Sequence, residues 1–310
     1  FKKPVYTAYL NFERKNRHTY GGALDMLWYK PEYNEIMYSP DENKYFGVNE
    51  FVSMGKDAFD FDKGWLSFQG GFSQNAHGHL DTGSFVYDDK GIRWICDLGS
   101  ESYSLDGYFS DKRYQYYRAR TEGHNTIVIN PDLSGGQDID AYSPIIDMDL
   151  SNEKPYAILD MSGCYKENAD SVIRKFEKLG NDIKITDKAV LKEKGTVYLF
   201  LHTQADAELI DKNTVMLSKN GIKKAVRVYS DNDFTMSVTD ALPLSVTDPE
   251  LADSEYPNPA DQNKNKGYKK ITIKLKNTDK IDIDTVISDM KDNLKAETLQ
   301  LEYGQLEEYK

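Results

Sequence analysis

The sequence predicts a mainly β protein, built as one large antiparallel β-sandwich that follows a short helical stretch. Two observations predict this class. From about residue 46 onward, short runs of alternating apolar and polar residues recur between Gly, Asp and Asn. Aromatic residues that favour strands are plentiful, with 22 tyrosines and 13 phenylalanines. Many short strands with tight turns and little helix are typical of a sandwich.

The first 45 residues differ from the rest. GGALDMLWY, residues 21–29, is apolar and compatible with a helix, and it ends before Pro31. Residues 30–46 carry prolines and charges, as linkers do. Because the chain starts at Phe1 without a methionine, we expect an earlier part of a longer protein to be missing. The predicted domains are therefore residues 1–45, the end of a helical unit with its linker, and residues 46–310, the β-sandwich.

The predicted strands fall into two groups. The first group lies in GWLSFQGGF, GSFVYDD, IRWICDL and HNTIVIN. The second group lies in SVIRKFEKL, NDIKITDKAVL, GTVYLFLHTQ, AVRVYS, FTMSVTDA, KKITIKLK and KIDIDTVI. Residues 248–267 are polar and rich in Pro and Asn, so they predict a loop between strands. The last twenty residues are charged and fit a strand, a short helix or a tail.

Composition excludes some classes of function. The formal net charge is −12 and the isoelectric point is about 5.0, which disfavours nucleic acid as a partner. No apolar run approaches the roughly 18 residues that span a bilayer, so no membrane span is expected. The two cysteines, Cys96 and Cys164, are expected to be buried rather than part of a disulfide framework. Frequent lysine and asparagine suggest a bacterial source.

The stretch QNAHGHLDTGSF, residues 74–85, places two imidazoles and a carboxylate at alternate positions. On a strand, His77, His79 and Asp81 would point to the same face. Residues 83–98 predict a hairpin that turns at 89–91. If that loop has three residues, Asp97 lies opposite Gly83 and projects from the face of the histidines, although a bend is needed to bring them together.

His124, in TEGHNTIVIN, opens a further strand and adds a third imidazole. Two imidazoles and one carboxylate suit zinc, which takes nitrogen and oxygen ligands. The spacing fits scattered polar residues at strand ends equally well. Either Asp97 or Asp81 could supply the carboxylate.

Residues 70–130 resemble the central sandwich of the heparinase II/III-like polysaccharide lyases, a family that includes heparinases and oligoalginate lyases. Three motifs carry the resemblance: N-x-H-G-H-x-D-x-G-x-F, R-W-x-x-D-x-G and E-G-H-N-T. This sequence keeps all three, in residues 75–85, 93–99 and 122–126. The likeness continues more loosely toward the C-terminus.

The resemblance implies a set of roles. His79, Asp97 and His124 would hold one structural Zn²⁺ ion per chain, and His77 would face the sugar and take part in catalysis. Such enzymes cleave next to a uronic acid by β-elimination. Their tyrosine acid/base and an asparagine–histidine pair lie on an N-terminal α/α toroid, of which only the last helix is matched here. The chain alone is therefore expected to lack most of its activity.

Three further residues are predicted to contact the substrate, an anionic polysaccharide or oligosaccharide. Arg118 could bind a carboxylate or sulfate, although a structural ion pair is the alternative. Tyr116 could stack on sugar or pack within the sheet. Asn75 flanks the histidines and could bind sugar or stabilise a turn. By contrast, His202 lies in an apolar strand and is expected to be a hydrogen-bonded core residue.

Two other functions remain open at the level of sequence. One is a zinc-stabilised carbohydrate-binding or scaffold domain without catalysis of its own. The other is a zinc hydrolase, which needs a carboxylate base beside the metal, and only Asp81 and Glu122 are available. The sequence identifies neither the glycan nor the compartment. Relatives of this kind are often periplasmic or secreted, which favours those locations over the cytoplasm.

Overall fold

The computed structural model describes residues 43–47, 49–55, 62–74, 77–134, 136–151 and 153–290. The predicted N-terminal helix, the linker up to residue 42 and the last twenty residues lie outside these ranges. Strands dominate the described residues, which contain one short helix, α1 (Leu244–Thr247). The predicted mainly β, antiparallel class is confirmed.

The smaller sheet carries one side of the candidate site. It consists of β1 (Lys44–Phe46), β2 (Phe51–Gly55), β3 (Trp65–Gln69), β5 (Phe85–Asp89) and β6 (Ile92–Ile95), in that order and all antiparallel. A separate pair is formed by β4 (Gly71–Phe72) and β8 (Tyr142–Ser143). The chain between β4 and β5 contains the QNAHGHLDTG stretch.

The larger sheet has ten strands. Its main path runs β13 (Asp206–Asp211), β14 (Thr214–Lys219), β15 (Ile222–Ser230), β17 (Lys269–Asp289), β12 (Asp182–Thr203), β11 (Ala169–Leu179), β10 (Tyr156–Asp160) and β9 (Ile145–Asp149). In addition, β16 (Phe234–Asp240) pairs with β17, and β7 (Ile127–Ile129) pairs with β12. Three 3₁₀ turns, Asp111–Gln115, Thr121–Gly123 and Ser162–Tyr165, occur outside the sheets.

The main core lies between the two sheets. Alternate side chains of both sheets point into it, as the period-two pattern predicts. Phe68 from β3 stacks on Phe176 from β11, with ring centroids 3.7 Å apart, and Phe85 from β5 meets the same ring edge-on at 5.9 Å. These aromatic contacts fix the smaller sheet against the larger one.

Two strands of the larger sheet are longer than the sequence predicts. β12 and β17 were each expected as two strands, because charged residues interrupt the alternation near 192–194 and 276–280. The structure joins them, because β12 and β17 pair with each other on both sides of an irregular register between Val190 and Val197. The irregular stretch between Val190 and Val197 is therefore a bulge within one long strand, not a turn between two strands.

The β5–β6 hairpin also differs from the prediction. Asp89 pairs with Ile92, so the loop is the two-residue turn Lys90-Gly91 rather than a three-residue loop. Both turn residues have positive φ, 54° and 70°, which matches a type I′ turn. A register shift then pairs Tyr87 with Ile95. The predicted pairing that set Asp97 opposite Gly83 is therefore wrong.

One simpler expectation agrees with the structure. Cys96 and Cys164 are both buried free thiols. Among the described residues, none of the helical segments has the length and apolar character needed to cross a bilayer.

Candidate functional site

The HGH segment is a loop, not the strand that its alternation predicts. It connects β4 to β5, and His77 adopts a positive φ of 66° with an exposed side chain. Backbone bonds hold the loop: the N–H of Leu80 donates to the carbonyl of Ala119 at 3.0 Å, and that of Ser84 donates to the carbonyl of Asp81 at 2.9 Å. The predicted bend is thus provided by loop conformation.

The loop still brings the expected groups together. Ligand atoms of His79, Asp81 and His124 lie within 4.8 Å of one another. The rings of His79 and His124 are 5.2 Å apart. Asp97 joins the group through its Oδ2, which lies 2.7 Å from Nδ1 of His124. The two histidines predicted as metal ligands are therefore neighbours, with two carboxylates beside them.

His124 is fully buried, and its Nε2 has no hydrogen-bond partner. With Nδ1 hydrogen-bonded to Asp97, this nitrogen is the atom left for another group. Asp97 is itself fixed, because its Oδ1 accepts the N–H of Gly99 at 2.7 Å. A carboxylate that orients one nitrogen of an imidazole, with the other nitrogen free, is a common arrangement at metal sites.

Burial and mutual interactions shift the pKa values of the four groups in this cluster. Burial, followed by repulsion from His124, lowers the pKa of His79 to about 3, so the imidazole is neutral. Burial opposes ionisation of Asp97, but the charge and hydrogen bond of His124 hold the pKa of this carboxyl well below its usual range. Burial raises the pKa of Asp81 to about 6. Burial opposes the charge of His124, but the Asp97 carboxylate raises the pKa of this imidazole, so a metal ion would have to replace the proton on its Nε2. By residue type, two imidazoles and a carboxylate fit a zinc ion.

An open cleft of about 640 Å³ runs beside this cluster. Its lining residues are Phe46, Asn49, Phe51, Gln69, Gly70, Phe72, Ser73, His77, Gly78, His79 and Asp81. His77 therefore lies on the cleft wall next to two members of the cluster. Its ring stacks on that of Tyr103 at 5.3 Å and meets Phe109 edge-on at 6.1 Å.

The predicted substrate contacts are placed differently. Arg118 is held in the structure: its Nε donates to Asn265 Oδ1 at 2.7 Å, and its Nη1 to the carbonyl of Ser100 at 2.9 Å. Tyr116 is buried, and its hydroxyl donates to the carbonyl of Asp106 at 2.7 Å. The side chains of Arg118 and Tyr116 thus form hydrogen bonds within the protein. Their roles in substrate binding stay predictions. Asn75 lies outside the described residues.

His202 is the hydrogen-bonded core residue that the sequence predicts. Its Nε2 lies 2.8 Å from the hydroxyl of Tyr117, and its backbone N–H donates to Oδ1 of Asn125 at 2.7 Å. Nδ2 of Asn125 donates to the carbonyls of Phe85 and Cys96 at 2.8 and 2.9 Å. Asn125, the residue after His124, therefore links β5 and β12 to the segment that follows β6.

Two residues near the site carry no signal in the sequence. Arg113 is buried, with its guanidinium 4.8 Å above the ring of Tyr108, and Nε and Nη2 have no hydrogen-bond partner. Arg174, on β11, contacts the site from the larger sheet. Its Nη1 donates to the carbonyls of Gly83 and Asn125 at 2.7 and 2.9 Å. Neither contact can be read from local spacing.

The chain is similar to one protein family and to several solved structures. Residues 46–286 match the family model described as Heparinase II/III-like, C-terminal. Among solved structures, the chain is similar to a heparinase III, the BT4657 gene product, with a TM-score of 0.63 and 16% identity. It is also similar to heparan sulfate lyase HepC from Pedobacter heparinus, with a TM-score of 0.64 and 12% identity. No curated protein matches the sequence.

These structures are longer than the chain. The match covers 81% of this chain and 37% of the heparinase III, and 93% of this chain and 42% of HepC. At such identities the likeness shows a common fold. The family model, in contrast, matches most of the sequence and includes all three motifs. The chain therefore belongs to the heparinase II/III-like C-terminal domain family.

Proposed function

We propose that this chain is the β-sandwich part of a polysaccharide lyase that cleaves uronic-acid-containing glycans by β-elimination. One observation carries the proposal: His77 is exposed on the wall of an open cleft, directly beside the cluster of His79, Asp81 and His124. His79 and Asp81 are partly buried and His124 is fully buried, whereas His77 faces the space that a sugar can enter.

β-Elimination next to a uronate makes three demands. A base removes the proton α to the carboxylate, an acid helps the C4 oxygen to leave, and a neighbouring group offsets the carboxylate charge. A neutral imidazole can take a proton, and it can also donate a hydrogen bond to the carboxylate. His77 is suited to one of these tasks. We propose that a tyrosine on a helical toroid domain supplies the acid, and that the chain without this domain is inactive.

His79 and His124 would hold a zinc ion with a carboxylate. Bound there, zinc would stabilise the loop that carries His77, rather than activate water. Two carboxylates are available. Asp97 is the ligand that the family resemblance implies. The hydrogen bond from Nδ1 of His124 to Asp97 and the unpartnered Nε2 favour Asp81 as the ligand, with Asp97 orienting the imidazole.

The proposal is tested by product formation in the complete gene product that carries this chain. His77→Ala should lower the rate at which unsaturated uronate ends form by about 100-fold or more, because proton transfer contributes roughly that much to the rate. The increase in ultraviolet absorbance of these ends measures their formation. Gln74→Ala, an exposed change in the same loop, is the matched control and should leave the rate unchanged. Full activity of the His77→Ala protein would rule out the proposed role.

A second function is favoured by the exposed aromatic residues around the cleft, which suit sugar binding without chemistry. In that case the protein is a zinc-stabilised carbohydrate-binding domain. It would bind uronate glycans equally well with and without His77, and it would form no unsaturated product.

A further inference from the structure

Exposed aromatic side chains cluster around the cleft. Among the described residues, six large aromatic side chains have relative exposures between 37% and 66%: Tyr45, Phe46, Phe72, Tyr103, Phe109 and Tyr142. Five of them line the cleft, pack on a residue that lines it or contact His77. Tyr45 precedes Phe46 on β1, so its side chain points to the opposite face of that strand. Exposed apolar side chains that cluster together commonly mark a binding surface, whereas single scattered ones are normal on protein surfaces.

The first group lies on the side of β1, β4 and β8. Phe46 and Phe72 line the cleft, and Tyr142 packs against Phe72 with ring centroids 4.7 Å apart. The hydroxyls of Tyr45 and Tyr142 both donate to the buried carboxylate of Glu50, at 2.9 and 2.5 Å. The two tyrosines are therefore held in position while part of each ring stays exposed.

The second group lies against His77. Tyr103 and Phe109 each contact the His77 ring, and they contact each other at 5.4 Å. Both also pack on Tyr108, at 5.5 Å, which is only 1% exposed. The buried Tyr108 ring fixes the exposed rings of Tyr103 and Phe109 in position. The two rings are therefore preorganised for stacking, because they lose little side-chain freedom on binding.

The described part of the same wall has no cationic side chain among its lining residues. None of the described residues that line the cleft is lysine or arginine. The guanidinium of Arg118 is engaged with Asn265 and Ser100, and that of Arg113 is buried over Tyr108. The described lining residues offer no cation to a densely sulfated chain, and the net charge of −12 repels such a chain at long range.

We propose that five of these aromatic side chains, all except Tyr45, form a stacking surface for the pyranose rings that flank the cleaved bond, and that this surface selects uronate glycans of low charge density over densely sulfated ones. The inference rests on the proposed function and specifies its substrate. The apolar faces of the sugar rings cover the aromatic rings, and the carboxylates of the glycan stay at the solvent edge.

The test is saturation-transfer NMR on the 310-residue chain, which detects weak binding without turnover. The probes are an unsulfated glucuronate–N-acetylglucosamine oligosaccharide and a heparin oligosaccharide of equal length. The unsulfated probe should bind more tightly, and its affinity should change little between low and high salt. Phe72→Ala and Phe109→Ala should each weaken binding by about tenfold, because each removes an exposed aromatic face that the sugar would cover.

The matched control is Val246→Ala, at an apolar position on α1 that is 52% exposed, against 53% for Phe72. It should bind like the wild type. Unchanged binding by both aromatic variants, tighter and salt-sensitive binding of heparin, or no binding of either probe would overturn the inference. If the aromatic variants bind normally while His77→Ala loses turnover, only the stacking surface fails. If the aromatic variants bind weakly but the complete wild-type gene product forms no unsaturated uronate ends, the lyase proposal fails instead.

Discussion

His124 is the residue on which the candidate metal site depends most. It is fully buried, with one ring nitrogen bonded to Asp97 and the other without a partner. Leaving such a polar atom buried and unpaired costs roughly 1–3 kcal/mol. A bound cation would remove this cost, and no other described residue satisfies the nitrogen.

The two carboxylates should respond differently to conversion into amides. Asp81→Asn removes a candidate ligand and should abolish zinc binding at stoichiometric concentrations. Asp97→Asn should retain the ion with an affinity about 10- to 100-fold lower, because it disturbs only the orientation of His124. Competition with a metal indicator measures both affinities. The opposite pattern would identify Asp97 as the ligand that the family resemblance implies.

Among the structural elements, β11 supports the site from behind. Arg174 is buried and forms a two-pronged ion pair with Asp187, at 2.6 and 3.0 Å, while its Nη1 binds the carbonyls of Gly83 and Asn125. The two carbonyls belong to the segments that carry Asp81 and His124. One side chain therefore connects both halves of the cluster to the larger sheet.

Arg174→Met should lower the free energy of unfolding by about 3–5 kcal/mol, because it leaves the Asp187 carboxylate buried without a counter-charge. Urea denaturation measures the change. Arg93→Met removes an exposed ion pair with Asp88 and is the matched control, with an expected loss below about 1 kcal/mol. Similar losses in the two proteins would contradict the supporting role of Arg174.

The sequence predicts elements better than it predicts their ends and pairings. Alternation locates most strands of the larger sheet, because their inward side chains must be apolar. It divides β12 and β17, since a charged bulge resembles a turn when the partner strand is unknown. It also gives the HGH segment the period of a strand, whereas the positive φ of His77 sets it in a loop. Such features depend on tertiary contacts that local pattern does not contain.

For the molecule as a whole, carboxylates paired across the chain make stability depend on pH. Burial opposes ionisation of Asp289, but hydrogen bonds from Lys90 and Lys224, at 2.6 and 2.9 Å, hold the pKa of this carboxyl below its usual range. Because the folded-state pKa is the lower one, the native state binds fewer protons than the unfolded state. The stabilisation is present above about pH 4 and is lost as the pH falls through the folded-state pKa.

We therefore expect the melting temperature to fall steeply in acid and the Asp289→Asn protein to show a shallower fall. The variant should also be less stable than the wild type at neutral pH. Calorimetry across the acid range measures both. Parallel pH profiles for the two proteins would show that Asp289 does not contribute to the acid response.

Across the whole chain, the three sequence motifs predict several residues of the candidate site. They identify His79 and His124 as neighbours although the two residues are 45 positions apart in the sequence. The predicted pairing of Asp97 with Gly83 is wrong. Arg113, Arg174 and the exposed aromatic residues were missed, because each acquires its role only from contacts made after folding. Chemistry-bearing motifs are thus easier to find than the residues that support them.

The most direct test of this account is the metal content of the purified chain, measured by mass spectrometry for the wild type, His79→Ala and His77→Ala. We predict about one zinc ion per wild-type chain, its loss in His79→Ala and its retention in His77→Ala, since only the first of these histidines belongs to the cluster. Absence of zinc from the wild type, or equal zinc in all three proteins, would contradict the claim that this cluster is a metal site supporting the loop of His77.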